Sequence, residues 1–353
     1  MGKTLLGETE KIIDRPIRTK PYPDCYVCNT SGESLYHDLK DLLFGAPGIW
    51  HLKKCPNPTC GLIWLDPMPD PLDLARLYTN YYTHDRPARK TGIIRRVHER
   101  ALCGYLNKQW GYTLATSSRV DIVLGYLVYL HPAYRAYADA RVMNLRRQSN
   151  AQLLEIGFGN GNILDRLRSY GWLVEGIEVD PVAVEIAREK GLNVRQGDLI
   201  DQHYPDESFD AIVSSHVIEH VPDPLKLLIE CHRILKPGGR LVFYTPNANS
   251  WGHSLYKRHW RGLEPPRHLY LFTISSLTAL ACKAGFKNPG SFVTDHGAGY
   301  LRESHMLKRG YRRDLSGNSL MTKSIHMLSP FFSWFVCLFR PGLGSEIILS
   351  ATK

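Results

Sequence analysis

The sequence lacks the segments that would assign it to an exported or membrane-spanning protein. Its first 16 residues, MGKTLLGETEKIIDRP, contain no continuous apolar core of signal-peptide length and no small-residue cleavage site. The apolar stretch over residues 329–340 is shorter than the roughly 20 residues that a membrane-spanning helix needs. Internal repeats and low-complexity tracts are absent as well. We therefore expect a cytoplasmic, globular protein.

The positive charge of the chain has no accompanying nucleic-acid motif. The formal net charge is +10, and residues 85–150 alone hold 12 Lys or Arg against 4 Asp or Glu. Aromatic residues are not interleaved with these basic residues in the manner of a nucleic-acid-binding motif, and basic residues alone give unspecific, salt-dependent binding. We interpret the basic runs as solvated helix faces and do not expect nucleic acid as a partner.

Four of the eight cysteines form two close pairs within 36 residues, Cys25–Cys28 and Cys55–Cys60. Two such pairs separated by a spacer of ribbon length are typical of a structural zinc site in a reducing compartment. The second pair encloses four residues, two of them prolines, so His37 and His51 are alternative ligands in place of one thiolate. We predict a zinc-ribbon-like segment over residues 21–70; a ribbon without metal and unrelated thiols are the alternatives.

The remaining chain divides into three parts by its pattern of apolar residues. Residues 1–20 read as a flexible N-terminus, and residues 71–149 have the three-and-four spacing of a helical connector or lid. From residue 150 to 353, short apolar strands alternate with helices of ten or more residues. Because parallel strands need crossover helices, this alternation predicts an α/β fold with a doubly wound parallel sheet.

A glycine-rich turn opens this α/β part. Gly157, Gly159 and Gly161 follow a predicted strand, where glycine lets the backbone approach a ligand at a helix N-terminus. Glu178 ends the next strand, where a carboxylate accepts ribose hydroxyls. Asp198 ends the third and can accept an adenine amine. Helix capping would explain one of these acids, but the ordered series predicts an adenosine site.

The successive segments LLEIGFGNGNIL, GIEVD, QGD, FDAIVSSHVIEHVPDP and RILKPGGRLVFYTPN resemble the motifs of class I S-adenosylmethionine-dependent methyltransferases. The resemblance runs from about residue 151 to 286 and implies a Rossmann-like sheet of seven strands. It also implies S-adenosylmethionine as cofactor. The residues that it assigns to cofactor binding are Glu155, Gly157, Phe158, Gly159, Gly161, Glu178, Val179, Asp198, Leu199 and His216.

The cysteine pairs and the later PPRHLYLFTISSLTALACKAGF resemble a bacterial subgroup with a zinc-ribbon-like N-terminal segment that serves glycan or sugar pathways. That resemblance implies direct in-line methylation of a sugar or lipid-linked glycan precursor, at oxygen rather than carbon. An aromatic or quinone precursor is the main alternative, and a nucleic-acid methyltransferase or an inactive scaffold ranks below it. An acceptor-side insertion is expected over residues 246–270. An apolar helix over residues 325–340 would suit peripheral membrane contact.

The stretch SHVIEHVPDP contains the spacing H-x-x-E-H of a zinc protease, from His216 to His220. Pro222 and Pro224 oppose the helix that such a site requires. In the methyltransferase frame this loop lies on the acceptor side. His220 can act as general base, bind a divalent cation or merely order the loop, and all three roles stay open. His268 is predicted to contact the acceptor, and we assign both histidines to catalysis.

Overall fold

A computed structural model describes residues 16–78, 93–113, 118–294, 298–311, 335–336 and 339–353. Within these ranges, no helix is both long and apolar enough to cross a bilayer. Residues 1–15 of the predicted flexible N-terminus lie outside the described residues. Most of the predicted apolar helix over 325–340 lies outside them as well.

The centre of the molecule is a sheet of seven strands in the order β12-β13-β10-β9-β6-β7-β8. Strands β6 to β10 pair in parallel, whereas β13 runs antiparallel to both β10 and β12. The strands are β6 Gln152–Ile156, β7 Leu173–Glu178, β8 Val194–Gln196, β9 Phe209–Ser215, β10 Leu235–Pro246, β12 Lys287–Thr294 and β13 Glu346–Thr352. The predicted α/β fold with a mostly parallel, Rossmann-like sheet is confirmed.

Helices connect the parallel strands, and their first residues explain where they begin. The side chain of Asp180 accepts from the Val182 amide, and that of Asp223 accepts from the Lys226 amide; each acid is followed by a proline at the first helical position. The helices of this part are α4 Asn162–Ser169, α5 Pro181–Glu189, α6 Pro224–Ile234, α7 Trp251–Tyr256, α8 Ile274–Lys283 and α9 Ala298–Lys308.

Three helices form the connector before the sheet. They are α1 Ile93–Trp110, α2 Arg119–Tyr129 and α3 Pro132–Arg141. Helices α1 and α2 approach each other at Gly104 and Gly125, where there is no room for a side chain. A Cβ at Gly104 would lie 1.7 Å from the Asp121 carbonyl oxygen, and one at Gly125 would lie 2.5 Å from the Tyr105 amide nitrogen. Ser118 and Asp121 form a capping box that fixes the start of α2.

The ribbon segment, residues 21–70, contains most of a second, antiparallel sheet. Its strands in this segment are β2 Glu33–Leu39, β3 Trp50–Lys54 and β4 Ile63–Leu65. A separate two-stranded sheet pairs β1 Thr19–Lys20 with β5 Met68–Pro69, and a 3-10 helix over Pro71–Tyr78 follows. Strand β11, Tyr270–Leu271, comes from the α/β part and pairs with β4. Both parts share one apolar core, in which Trp64 and Phe272 are fully buried.

Candidate functional site

The glycine loop, residues 157–161, turns the chain from β6 into α4. Gly157, Gly159 and Gly161 all have positive φ angles, between 51° and 69°. Residues other than glycine adopt such backbone angles only at a cost in free energy. A Cβ at Gly157 would lie 2.3 Å from Cγ2 of Val217. At Gly159 a Cβ would meet nothing within 4 Å. The loop is thus packed on one side and open at Gly159, as a site for a ligand requires.

Glu178 ties the end of β7 to this loop. Its Oε2 accepts from the Gly159 amide at 2.9 Å, and its Oε1 accepts from the Val179 and Asp180 amides at 2.8 and 3.2 Å. The side chain of Val179 is 67 % exposed, beside this carboxylate. At the end of β8, the exposed Asp198 accepts from the Ile200 amide at 2.9 Å. The structure therefore places both predicted acids at the carboxyl ends of neighbouring parallel strands.

Glu155 lies under the loop, two residues before Gly157, and is 1 % exposed. Its Oε2 has no hydrogen-bond partner. Burial raises the pKa of Glu155 to about 8; Glu178 adds to the rise, and Arg166 opposes it. A buried oxygen without a partner is costly and suits a ligand that brings a donor. Phe158 and Leu199 are buried as well, at 4 % and 2 % exposure. Burial in the protein does not by itself show contact with a cofactor, so that contact stays a prediction.

His216 follows β9 and lies between two carboxylates, Glu219 three residues further along the chain and Glu346 at the start of β13. Its Nδ1 is 3.2 Å from Oε1 of Glu219, and its Nε2 is 2.9 Å from Oε1 of Glu346. Burial alone would lower the pKa of His216, but the hydrogen bonds that its ring donates to both carboxylates outweigh burial and raise the pKa to about 10. His216 is therefore a cation at neutral pH, held in place from both sides.

Glu219 is fully buried, and both of its oxygens are used. Besides the bond with His216, its Oε2 accepts from the Thr245 hydroxyl at 3.0 Å. Burial would raise the pKa of Glu219, but the bond with the His216 cation keeps it well below its ordinary value. Glu219 is thus an anion that anchors the loop to the ends of β9 and β10.

His220 is partly exposed and closes the short 3-10 turn Ile218–His220. Its Nδ1 is 3.0 Å from the Arg267 carbonyl oxygen and 2.9 Å from the Tyr78 hydroxyl. A carbonyl oxygen only accepts hydrogen bonds, so the bond to Arg267 assigns the ring proton to Nδ1. Nε2 then keeps its lone pair, and this is the nitrogen on which a base would take a proton.

His268 packs against His220, with 4.7 Å between their ring centroids. It is 3 % exposed, and its Nδ1 lies 2.7 Å from the Gly262 carbonyl oxygen. Burial, with the neighbouring His220 as second cause, lowers the pKa of His268 to about 4, so the ring is neutral. The structure places both predicted catalytic histidines in one site, with His268 as the inner member.

The atoms of Glu219, His220 and His268 that could ligate a metal lie within 4.8 Å of one another. A divalent cation was one of the open roles for this loop. Both Glu219 oxygens already have hydrogen-bond partners, His216 and Thr245. This arrangement favours an ordered loop with a free Nε2 on His220 over a cation site.

The ribbon segment brings its four cysteines together. The sulfur atoms of Cys25, Cys28, Cys55 and Cys60 lie within 4.8 Å of one another, at 3.6 Å for Cys25 and Cys60 and 3.4 Å for Cys28 and Cys55. A tetrahedral zinc ion with zinc–sulfur bonds of about 2.3 Å separates its sulfurs by about 3.8 Å, so these residues fit the metal. His51 accepts from the Asp38 amide, and His37 bonds to Ser34, so neither joins the cluster.

Three partners of the site residues were missed by sequence reasoning: Tyr78 contacts His220, Glu346 contacts His216, and Thr245 contacts Glu219. Each lies in a different segment, and only Thr245 falls within a quoted motif. Tyr78 ends the 3-10 helix that follows the ribbon segment, and Glu346 opens the last strand. Of the three, only Glu346 had a signal in the sequence, because it is an acid at the start of an apolar strand. In the structure Glu346 is 2 % exposed.

Comparison with known proteins finds similarity in the central region of the chain. Residues 129–289 match the family model described as a methyltransferase domain. A probable S-adenosylmethionine-dependent methyltransferase of Mycolicibacterium smegmatis is 30 % identical over 43 % of this chain and 58 % of its own length. A ubiquinone biosynthesis O-methyltransferase of Xanthomonas oryzae pv. oryzae is 34 % identical over 33 % of this chain and 51 % of its own.

Among solved structures, a SAM-dependent methyltransferase from Archaeoglobus fulgidus aligns with 65 % of this chain and 99 % of its own, at 18 % identity and a TM-score of 0.43. The chain spans between 45 % and 58 % of the length of the curated relatives it matches. The family match includes the glycine loop, Glu178 and the loop with His216 and His220. Over residues 129–289, the chain is similar to a methyltransferase domain.

Proposed function

We propose that the chain is an S-adenosylmethionine-dependent methyltransferase that acts on a hydroxyl group of a small molecule. The observation that carries the proposal is the unit formed by Glu178 and the open glycine loop at Gly159. Glu178 and Asp198 would hold the adenosine part, and Glu155 would accept from the methionyl part. When bound, S-adenosylmethionine supplies a methyl group on a positively charged sulfur.

The chain's own residues would position the acceptor and take its proton. Nε2 of His220 would accept the hydroxyl proton, because Nδ1 is held by the Arg267 carbonyl and the Tyr78 hydroxyl. The neutral His268 ring would support the His220 ring from the inner side. Glu219 would hold the loop through Thr245 and His216.

A sugar or glycan precursor, free or lipid-linked, is our first candidate for the acceptor. It rests on the likeness of the cysteine-bearing segment and the segment around Arg267 to methyltransferases of glycan pathways. A small aromatic or quinone precursor is the second candidate, because several curated relatives are named ubiquinone biosynthesis O-methyltransferases. We place either reaction in the cytoplasm.

An acceptor screen with a radiolabelled methyl donor tests the proposal. Sugar nucleotides, glycan precursors and catechols would be offered to the purified protein, with calorimetry for donor binding run in parallel. Absence of donor binding in the folded protein would refute the proposed activity. Methylation of catechols alone, with a requirement for added magnesium that His220→Ala removes, would select the second candidate.

We also propose that Cys25, Cys28, Cys55 and Cys60 hold a structural zinc ion. Four thiolates, three of them buried, would fill all four positions of a tetrahedral ion and leave none for water, which is the arrangement of structural and not catalytic zinc. The Cys60 carbonyl accepts from the Thr273 hydroxyl at 2.5 Å, and Thr273 also caps α8. The ion would therefore brace the contact between the ribbon segment and the methyltransferase domain.

A further inference from the structure

A cavity of about 780 Å³ lies between the ribbon segment and the methyltransferase domain. Its walls come from β2 to β4, from the chain after β10 with helix α7, and from the segment before β13. Sites for small ligands measure about 300–1,000 Å³ and lie preferentially where two parts of a protein meet. The cavity is separate from the glycine loop and from His220, since neither lines it.

Three cations from three separate segments converge on this cavity. Lys54 ends β3, Lys257 follows α7, and Arg340 precedes β13. Within the described residues, no carboxylate lines the cavity, and none of the three cations forms an ion pair. Glu33 is opposite Lys54 in the strand register, yet it makes no salt bridge with it. Uncompensated cations around a concave surface attract anions.

The walls of the cavity are fixed by hydrogen bonds between its parts. Nδ1 of His253 bonds to the Ala248 carbonyl at 2.6 Å, so Nε2 accepts from the Tyr36 hydroxyl at 3.1 Å. This contact joins β2 to α7. Burial, with Lys54 as a further cause, lowers the pKa of His253, so the ring adds no charge at neutral pH. Asn249 and Ser254 add uncharged hydrogen-bonding side chains to the lining.

The cavity adjoins the candidate acceptor site along the chain. The Asn247 amide group donates to the Gly342 and Gly344 carbonyls at 3.0 and 2.7 Å, which ties two of the cavity walls together. Glu346, two residues beyond Gly344, contacts His216. The segment that forms one wall of the cavity therefore continues directly to a residue that contacts the loop with His216 and His220.

We infer that this cavity binds the phosphate or diphosphate group of the methyl acceptor, an inference that rests on the proposed methyltransferase function. A guanidinium and two ammonium groups suit the several oxygens of a diphosphate, since Arg binds them in pairs and Lys as a point charge. The group carries no reacting atoms. It anchors the acceptor while the hydroxyl to be methylated lies at His220.

Calorimetry with inorganic pyrophosphate tests the cavity directly. The wild-type protein should bind the probe, each of Lys54→Gln, Lys257→Gln and Arg340→Gln should weaken binding at least fivefold, and the triple variant should not bind. Lys226→Gln removes an exposed cation on α6 that does not line the cavity, and this variant should bind like wild type. Equal binding by the triple variant and wild type, or no binding by wild type at low salt, overturns the inference.

Binding of S-adenosylmethionine is measured in the same proteins, which separates the two proposals. Donor binding without pyrophosphate binding refutes the anion site alone. The opposite result is that wild type binds pyrophosphate, the triple variant does not, and no protein binds the donor. That result refutes the proposed activity and leaves the anion site standing. In both cases a thermal melt confirms that the variants are folded.

Two further probes distinguish the sources of the phosphate. Uridine diphosphate that binds at least tenfold tighter than pyrophosphate, with the same loss in the triple variant, indicates a nucleotide-linked acceptor. Cosedimentation with vesicles that contain phosphatidic acid, again lost in the triple variant, indicates a lipid-linked one. Either result supports the cavity as the phosphate site.

Discussion

The Glu178 carboxylate accepts a hydrogen bond from the Gly159 amide at 2.9 Å, so the acid that ends β7 and the glycine loop after β6 form one unit. Replacing Glu178 removes this bond and the carboxylate proposed for the ribose. A hydrogen bond to a charged group contributes about 1.5–3 kcal/mol, and a tenfold change in affinity corresponds to about 1.4 kcal/mol.

Glu178→Ala should therefore weaken S-adenosylmethionine binding by about 10- to 100-fold, as measured by calorimetry. Glu185→Ala is the matched control, because Glu185 is an exposed acid on the neighbouring helix α5. An unchanged affinity in Glu178→Ala would contradict the assignment of the adenosine site.

His220→Ala should slow methyl transfer by about 10²- to 10⁴-fold and leave donor binding unchanged, because a positioned general base contributes that much. Tyr78→Phe should preserve donor binding and shift the pH dependence of the rate, since the Tyr78 hydroxyl lies 2.9 Å from the ring nitrogen of His220. His203→Gln, which alters an exposed histidine, serves as control. Wild-type rates in both His220→Ala and His268→Ala would show that neither ring takes the proton.

The protein should contain about one zinc ion per chain when it is purified under reducing conditions without chelators. Cys60→Ser should lower both the zinc content and the melting temperature, because a structural zinc site contributes to folding. Cys282→Ser is the control, as Cys282 is exposed and outside the cluster. Metal analysis that finds no zinc in the wild-type protein would refute the site.

The ion pairs of His216 should make stability depend on pH with a definite sign. Its pKa is raised from 6.5 to about 10, so its contribution is complete below pH 6.5 and is lost as the pH rises through about 10. Denaturant unfolding of wild type and His216→Gln should differ most near pH 6 and least near pH 10. A constant difference across that range would mean that the ring is not charged in the folded protein.

Gly104→Ala should destabilise the helical connector, because an added Cβ would lie 1.7 Å from the Asp121 carbonyl oxygen and α1 must move away from α2. Overpacking of this kind costs about 1–3 kcal/mol. Gly310→Ala adds a methyl group where a Cβ meets nothing within 4 Å, although its φ of 85° carries a backbone cost of its own. Greater stability loss in Gly310→Ala would contradict the close packing of α1 and α2.

The sequence predicts the parallel part of the sheet well because each strand there is a short apolar run between turn signals. Strand β12 escapes prediction because Pro289 and Gly290 lie inside it, and both residues usually interrupt strands. Strand β10 begins already at Leu235, before Pro237, Gly238 and Gly239, and its register with β9 is irregular up to Arg240. The local sequence pattern cannot reveal where β10 begins, because pairing with the neighbouring strand β9 determines its start.

The candidate site is predictable to a similar degree. Residues that follow strands in a recognisable order, such as Glu178 and His216, are found from the sequence. Tyr78 and Glu346 are not, since each contacts its histidine across more than 100 residues of chain. The cysteine cluster was predictable because ligand spacing within each pair is local, and the fold then supplies the distance between pairs.

The pairing of β4 with β11 also determines the order of events during synthesis. The ribbon segment emerges from the ribosome first, but its sheet lacks its last strand until Tyr270 and Leu271 have been translated. Contacts between such distant residues form slowly in folding. The ribbon segment therefore keeps one edge of its sheet unpaired until the chain has been translated as far as Leu271.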